Sequence, residues 1–170
     1  SQTYGYIYKE VYHNTDMILV STMAAMPFMV VVFPLIPKLV KKYGGLVVAL
    51  TLDENGIPDN AEGRVAVARK ILETAAIYGI SKKDIIFDPL AMTISADTSA
   101  AKVTLESLKM ISGELGCKTS LGVSNVSFGL PNRDAVNGIF FATALENGLS
   151  AAIMNPYSAE MMKTYYTFNA

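Results

Sequence analysis

The chain has 170 residues, a formal net charge of −1, and 51% hydrophobic against 17% charged residues. That is length for one domain with a sizeable core, and it excludes the basic field that nucleic-acid binding requires. One cysteine (Cys117) and one histidine (His13) exclude an internal disulfide and a Cys/His zinc site, and both fit a reducing cytoplasm.

Residues 1–16 carry no assignable element, and His13 no role. The opening SQTYGYIYKE lacks the basic start, apolar stretch and small-residue cleavage site of a secretory signal. Residues 17–37 contain no charged side chain, about the length of a membrane span. Pro27, Pro34 and Pro37 would break a spanning helix three times, however. The better reading is a buried strand at 18–20, a loop, and an apolar helix running to Tyr43.

A regular pattern follows. Residues 46–51 form an apolar run without alternation, as expected of a parallel strand buried on both faces, and 53–58 is turn chemistry. Residues 61–78 predict a helix: Val65, Ala68, Ile71 (or Leu72) and Ala75 face inward, while Arg64, Arg69, Lys70 and Glu73 face outward. Gly79 stops it. A strand at 85–87 ends at Asp88-Pro89. The Asp97-Thr98-Ser99 segment reads as an N-cap for a helix over 100–115, with Val103, Leu105, Leu108, Ile111 and Leu115 apolar and Gly116 closing it. A strand at 119–123 ends at Ser124-Asn125, and a Gly-Leu-Pro turn leads to a helix that opens at Asn132, covers 134–145 and ends near Gly148. The strand at 151–154 ends at Asn155-Pro156, and a last helix covers 159–166.

The strand ends at Val20, Thr51, Asp88, Asn125 and Asn155 lie 31, 37, 37 and 30 residues apart, the spacing of βα units. Each strand hands over to a polar residue: Ser21, Thr51 with Asp53, Asp88, Asn125 and Asn155. In a TIM-type (β/α)8 barrel such residues converge on one face. The fold expected is therefore α/β, parallel βα units forming the last five-eighths of such a barrel, with the whole chain as one partial domain. A five-stranded doubly wound sheet is the alternative that length alone favours.

Of these residues Asn125 stands out, because a neutral carboxamide both donates and accepts and so suits a neutral heterocycle. Its alternative role is to tie down the following turn. Asp88 is suited to bidentate pairing with an N–H/NH₂ edge, or to accepting N–H groups of its own loop. Asp53, in a Asp-Glu-Asn-Gly turn, reads first as solvated. Arg133, just inside a helix start, is a surface or salt-bridge residue, or reaches from near Ser127 toward an anionic tail. No GxGxxG, GxxxxGK[ST], HExxH or GxSxG is present, so nucleotide, metalloprotease and serine-hydrolase readings lack their parts.

LGVSNVSFGLPNR, with VVALTLDENGIP and IIFDPLAMTISAD upstream and NGLSAAIMNP downstream, resembles the pterin-binding methyltransferases. It is similar in particular to the methyltetrahydrofolate:corrinoid methyltransferases, whose barrel is shared with the folate module of cobalamin-dependent methionine synthase. The ordered match runs over about residues 40–165. The resemblance implies that Asn125 hydrogen-bonds the pterin near N5 and that Asp88 pairs with the pterin edge. It implies that Gly122 and Ser124 line the pocket and that Arg133 matches the arginine after the loop. Asp53, Ser127 and Asn155 are further candidates at the same strand ends. Where the family carries a pterin-contacting asparagine on an earlier strand this chain has Val20, and the first three βα units are expected to be missing.

The reaction so implied moves the N5 methyl of methyltetrahydrofolate to Co(I) of a cobalamin-type corrinoid carried by a partner protein, with Asn125 supporting the departing amine. The metal would belong to the partner and not to this chain. The resemblance also implies a homodimer, while the cysteine count, charge and prolines above point to a cytoplasmic protein without nucleic-acid or membrane partners. A dihydropteroate-synthase-like pterin enzyme and a non-catalytic partial barrel acting as an assembly subunit are the alternatives. A native mass of about 28 kDa or more would reveal the missing units.

Overall fold

The structure, a computed structural model, describes residues 35–170. The expected strand at 18–20, Ser21, Val20 and His13 lie outside the described residues. Helix α1 spans Leu35–Tyr43 and strand β1 Val47–Leu50. Then come α2 (Ala61–Ile77), β2 (Ile85–Asp88), α3 (Ala100–Gly113) and β3 (Lys118–Gly122). Helix α4 (Arg133–Glu146), β4 (Ala151–Ile153) and α5 (Ala159–Phe168) complete the chain. Each helix-to-strand boundary falls close to where the sequence puts it. No helix among the described residues is long and apolar enough to cross a membrane.

Local chemistry explains the boundaries. Asn60 starts α2 by accepting the Gly63 N–H at 2.7 Å, and Ser158 does the same for α5 through Met161, satisfying donors that the helix leaves orphaned. At the other end of α4, Gly148 adopts φ +96°, a conformation costly for any residue with a Cβ. The expected cap of α3 is built differently. Ser99 is the N-cap residue but its side chain caps nothing; its hydroxyl and its N–H both go to the Asp97 carboxylate.

The four strands are all parallel and ordered β1-β2-β3-β4. Consecutive neighbours without a reversal make an arc of βα units; a doubly wound sheet would show a switch point. Helices cover one face. Ala49, Ile85, Phe87 and Cys117 pack with Val65, Ala68 and Ile111, and Leu121 and Val123 pack with Leu108, Phe141 and Met161. The other face carries Val48, Leu50, Ile86, Asp88, Gly122 and Ile153, all half-buried among the described residues. In a closed barrel that face is the interior.

One sequence assignment is overturned. Arg64 does not face outward: it is 3% exposed. Ala61, Arg64, Ala68 and Ala75 fall on one stripe of α2 and all are buried, so the guanidinium enters the core, where backbone carbonyls receive it.

Candidate functional site

The polar residues that follow the strands all stand at one end of the sheet, as parallel βα connectivity requires. Their side chains are used in two distinct ways. Asp53, Asp88 and Asn155 each accept the N–H two residues ahead, from Asn55 (2.8 Å), Leu90 (2.9 Å) and Tyr157 (3.0 Å). These are Asx-type turns that fix the start of each loop. Asn125 does not join them. It is exposed, and its carboxamide hydrogen-bonds no other described residue.

Asn125 sits in a 3-10 turn over Val123–Ser127, anchored by the buried Val123 and Val126. Its amide nitrogen lies 3.1 Å from where a Cβ on Gly122 would be. Gly122 therefore leaves the space that the carboxamide occupies, on the face of β3 opposite the buried Leu121. The β2–β3 register pairs Phe87 with Thr119. Continued by one residue, it sets Asp88 beside Ser120, and Gly122 then lies roughly 8 Å from Asp88 by strand spacing and rise. Asp88 and the Asn125 amide thus share the uncovered face.

Asp88 is half-buried, and burial pushes its carboxyl up to about 6, with the Leu90 N–H bond pulling the other way. One carboxylate oxygen is engaged by that bond, and the second accepts no hydrogen bond from a described residue. Leu90 has φ +66°, a left-handed conformation that costs a leucine roughly 1–2 kcal/mol. It is held by Arg64, whose Nη1 donates to the carbonyls of Pro89 (2.7 Å) and Leu90 (3.0 Å) while Nε donates to Pro58 (3.0 Å). Burial lowers the Arg64 pKa, and Asp59 opposes that shift.

The loops after β2 and β3 are tied together. Thr93 and Ser95 hydroxyls both donate to the Phe128 carbonyl (2.7 and 2.8 Å), and Ile94 N–H donates to Val126. Arg133 is committed to the Asn125 turn: Nη2 donates to the Ser124 carbonyl (2.9 Å) and Nε to the Ser127 hydroxyl (3.0 Å), with the guanidinium 5.8 Å from the Phe128 ring centre. Ser127 in turn donates to the Ser124 carbonyl. Thr51 is fully buried just after β1, and its hydroxyl has no partner among the described residues.

Asp88 and Gly122 thus end β2 and β3, Ser124, Asn125 and Ser127 lie in the turn after β3, and Arg133 opens α4, while Asp53 and Asn155 lie in the loops after the flanking strands β1 and β4. Sequence reasoning missed Arg64, although helical spacing from Ala61 and Ala68 would have found it.

At its strand-exit end the parallel βα sheet thus carries an amide with no partner among the described residues and a half-buried carboxylate. Residues 21–155 match the family model described as pterin binding enzyme, and the chain belongs to that family, whose fold is a TIM barrel. It is 30% identical over 126 residues to the methylcorrinoid:tetrahydrofolate methyltransferase of Eubacterium limosum, covering 72% of this chain and 46% of that protein. It is 31% identical over 125 residues to the methionine synthase of Mycobacterium tuberculosis, and 32% over 126 residues to that of Mycobacterium leprae. In both cases the match covers 69% of this chain and 10% of the relative. The chain thus spans about half the length of the methyltransferase it matches, and a tenth of the methionine synthases.

Proposed function

We infer that the protein to which this chain belongs transfers a methyl group between N5 of tetrahydrofolate and the cobalt of a corrinoid held by a partner protein. The observation that carries this reading is the Asn125 carboxamide, unspent on its own loop and set above Gly122 on the face shared with Asp88. The printed names of the relatives, a methylcorrinoid:tetrahydrofolate methyltransferase and methionine synthases, support the same chemistry.

The residues fit a pterin. The free oxygen of Asp88 accepts from the N–H/NH₂ edge of the ring and fixes its orientation, because a carboxylate matches paired donors. Gly122 makes room for the Asn125 amide beside the ring, and Ser124 lines the same pocket. Cobalt(I) is itself a strong nucleophile, so the protein need not generate one. The difficulty lies in the leaving group: the N5–CH₃ bond pair stays on nitrogen, which departs readily only if a solvent proton reaches N5 to leave N5–H, helped by a hydrogen bond there. The Asn125 amide strengthens its bond to N5 as that bond breaks, a gain specific to the transition state. The same geometry serves the reverse transfer. Arg133 keeps Asn125 in place through the Ser124 carbonyl and does not itself take a ligand anion. Asp53 and Asn155 frame the mouth.

The test is direct. Full-length protein is mixed with isotopically labelled methyltetrahydrofolate and Co(I) cobalamin, and the label is followed. Label appearing on cobalt, with tetrahydrofolate released in equal amount, supports the reading. Binding of folate without any transfer leaves only a pterin-binding module, and no binding removes the site.

A further inference from the structure

We propose that Arg64 is a positioning residue for the pterin-binding carboxylate: by gripping the Pro89 and Leu90 carbonyls it holds Leu90 left-handed, so that the Leu90 N–H occupies one oxygen of Asp88 and the other is presented to the ligand. This rests on the reading of Asp88 given above. The geometry that supports it is a chain of contacts. The guanidinium is almost fully buried and donates to three backbone carbonyls, of which two belong to the residues immediately after Asp88. Leu90 holds one of the two left-handed backbone conformations found outside glycine among the described residues. Its N–H donates to Asp88 Oδ1 at 2.9 Å.

Each link has a physical reason. A leucine relaxes out of the left-handed region unless its surroundings over-determine it, and two charge-assisted bonds from Arg64 Nη1 to adjacent carbonyls do so. A lysine offers a point charge without the fork. The third bond, to Pro58, ties the loop after β1 to the loop after β2, so one side chain sets both. Thr104 completes the cage: its hydroxyl contacts the Leu90 carbonyl at 3.3 Å and accepts from Arg64 at 3.4 Å. Were Arg64 only a core filler, a guanidinium would be a poor choice, since burying it carries a desolvation penalty that a methionine avoids.

The experiment measures methyltetrahydrofolate dissociation constants of the full-length protein from pH 5 to 9, together with thermal unfolding. The variants are Arg64→Gln, Arg64→Lys, Leu90→Gly, Arg64→Gln combined with Leu90→Gly, and Asp88→Asn. Arg64→Gln is expected to weaken binding roughly tenfold or more, the usual cost of losing bonds to a charged group. It should also move the pH midpoint of binding upward, because Asp88 loses the N–H that favours its charged form. Glycine takes the left-handed conformation without cost, so in the double variant Leu90→Gly should recover most of the affinity lost by Arg64→Gln, with Leu90→Gly alone as the reference for that recovery. Arg64→Lys, which keeps the charge and folds if charge is what the core requires, should fall between wild type and Arg64→Gln.

Arg64→Gln binding as wild type at every pH overturns the proposal. So does a loss of affinity that tracks unfolding temperature, shows no shift of midpoint and gains nothing from Leu90→Gly. If Arg64→Gln does not fold, Arg64→Lys with and without Leu90→Gly decides by the same two criteria. An Asp88→Asn protein that binds unchanged removes the underlying reading instead, whatever Arg64 does.

Discussion

Asp88 illustrates how one side chain can weigh against the fold and serve the site. Its carboxyl titrates near 6 in the fold against an ordinary 3.8, so ionisation is disfavoured by folding. At pH below 3.8 both states are neutral and no penalty exists; it grows as pH rises and is complete above 6. Taken at about 1.4 kcal/mol per pKa unit, the charged form costs up to about 3 kcal/mol at neutral pH. Asp88→Asn should therefore raise stability by that order at pH 8, and by less at pH 5, in urea unfolding. It should weaken pterin binding at the same time. A variant less stable than wild type at pH 8 would show that the carboxylate is better compensated than its burial suggests. Asn125 belongs to the opposite case: it is exposed and hydrogen-bonds no other described residue through its side chain, so the described residues gain little stability from it.

At the scale of elements, the two ends of the sheet have different duties. At the strand-exit end, Gly122 has an ordinary negative φ, so alanine is conformationally tolerated there. The added Cβ would nevertheless meet the Asn125 amide at 3.1 Å. Gly122→Ala should leave the melting temperature within a few degrees yet slow methyl transfer by roughly several-fold, since the amide must give way by only a fraction of the 1 Å that typically costs about 10²-fold. Unchanged transfer would show that the carboxamide does not depend on that space. At the other end Gly148 combines φ +96° with a Cβ position 2.6 Å from Ser112. Gly148→Ala should destabilise by about 1–3 kcal/mol from the left-handed backbone and overpacking together, with transfer per folded molecule unaltered. Reduced transfer at unchanged stability would mean that this end too belongs to the site.

Over the whole molecule, the elements from residue 35 onward were legible because two signals agreed. Apolar runs without alternation, such as 46–51, mark parallel strands, and helical spacing with glycine stops marks what lies between them. The order of the strands follows from that alternation once a reversal is excluded. Strand-end polarity points to the candidate site, but not to the use of each residue. Whether a polar side chain caps its own loop or stays free depends on backbone dihedrals that sequence does not encode locally, which is why both roles stay open for Asp88 and Asn125 until the turns are seen. Arg64 was misread for a different reason: charge was taken to outrank position, whereas the carbonyls of two loops supply what a buried guanidinium needs.

The central claim is that a neutral amide helps an amine release its carbon. Single-turnover transfer between folate and corrinoid, measured beside folate affinity in Asn125→Ala of the full-length protein, addresses it most directly. The expected result is a rate lower by on the order of 10²-fold or more with affinity reduced far less, the mark of an interaction made in the transition state. Equal losses in both would contradict it and leave Asn125 as a binding contact alone.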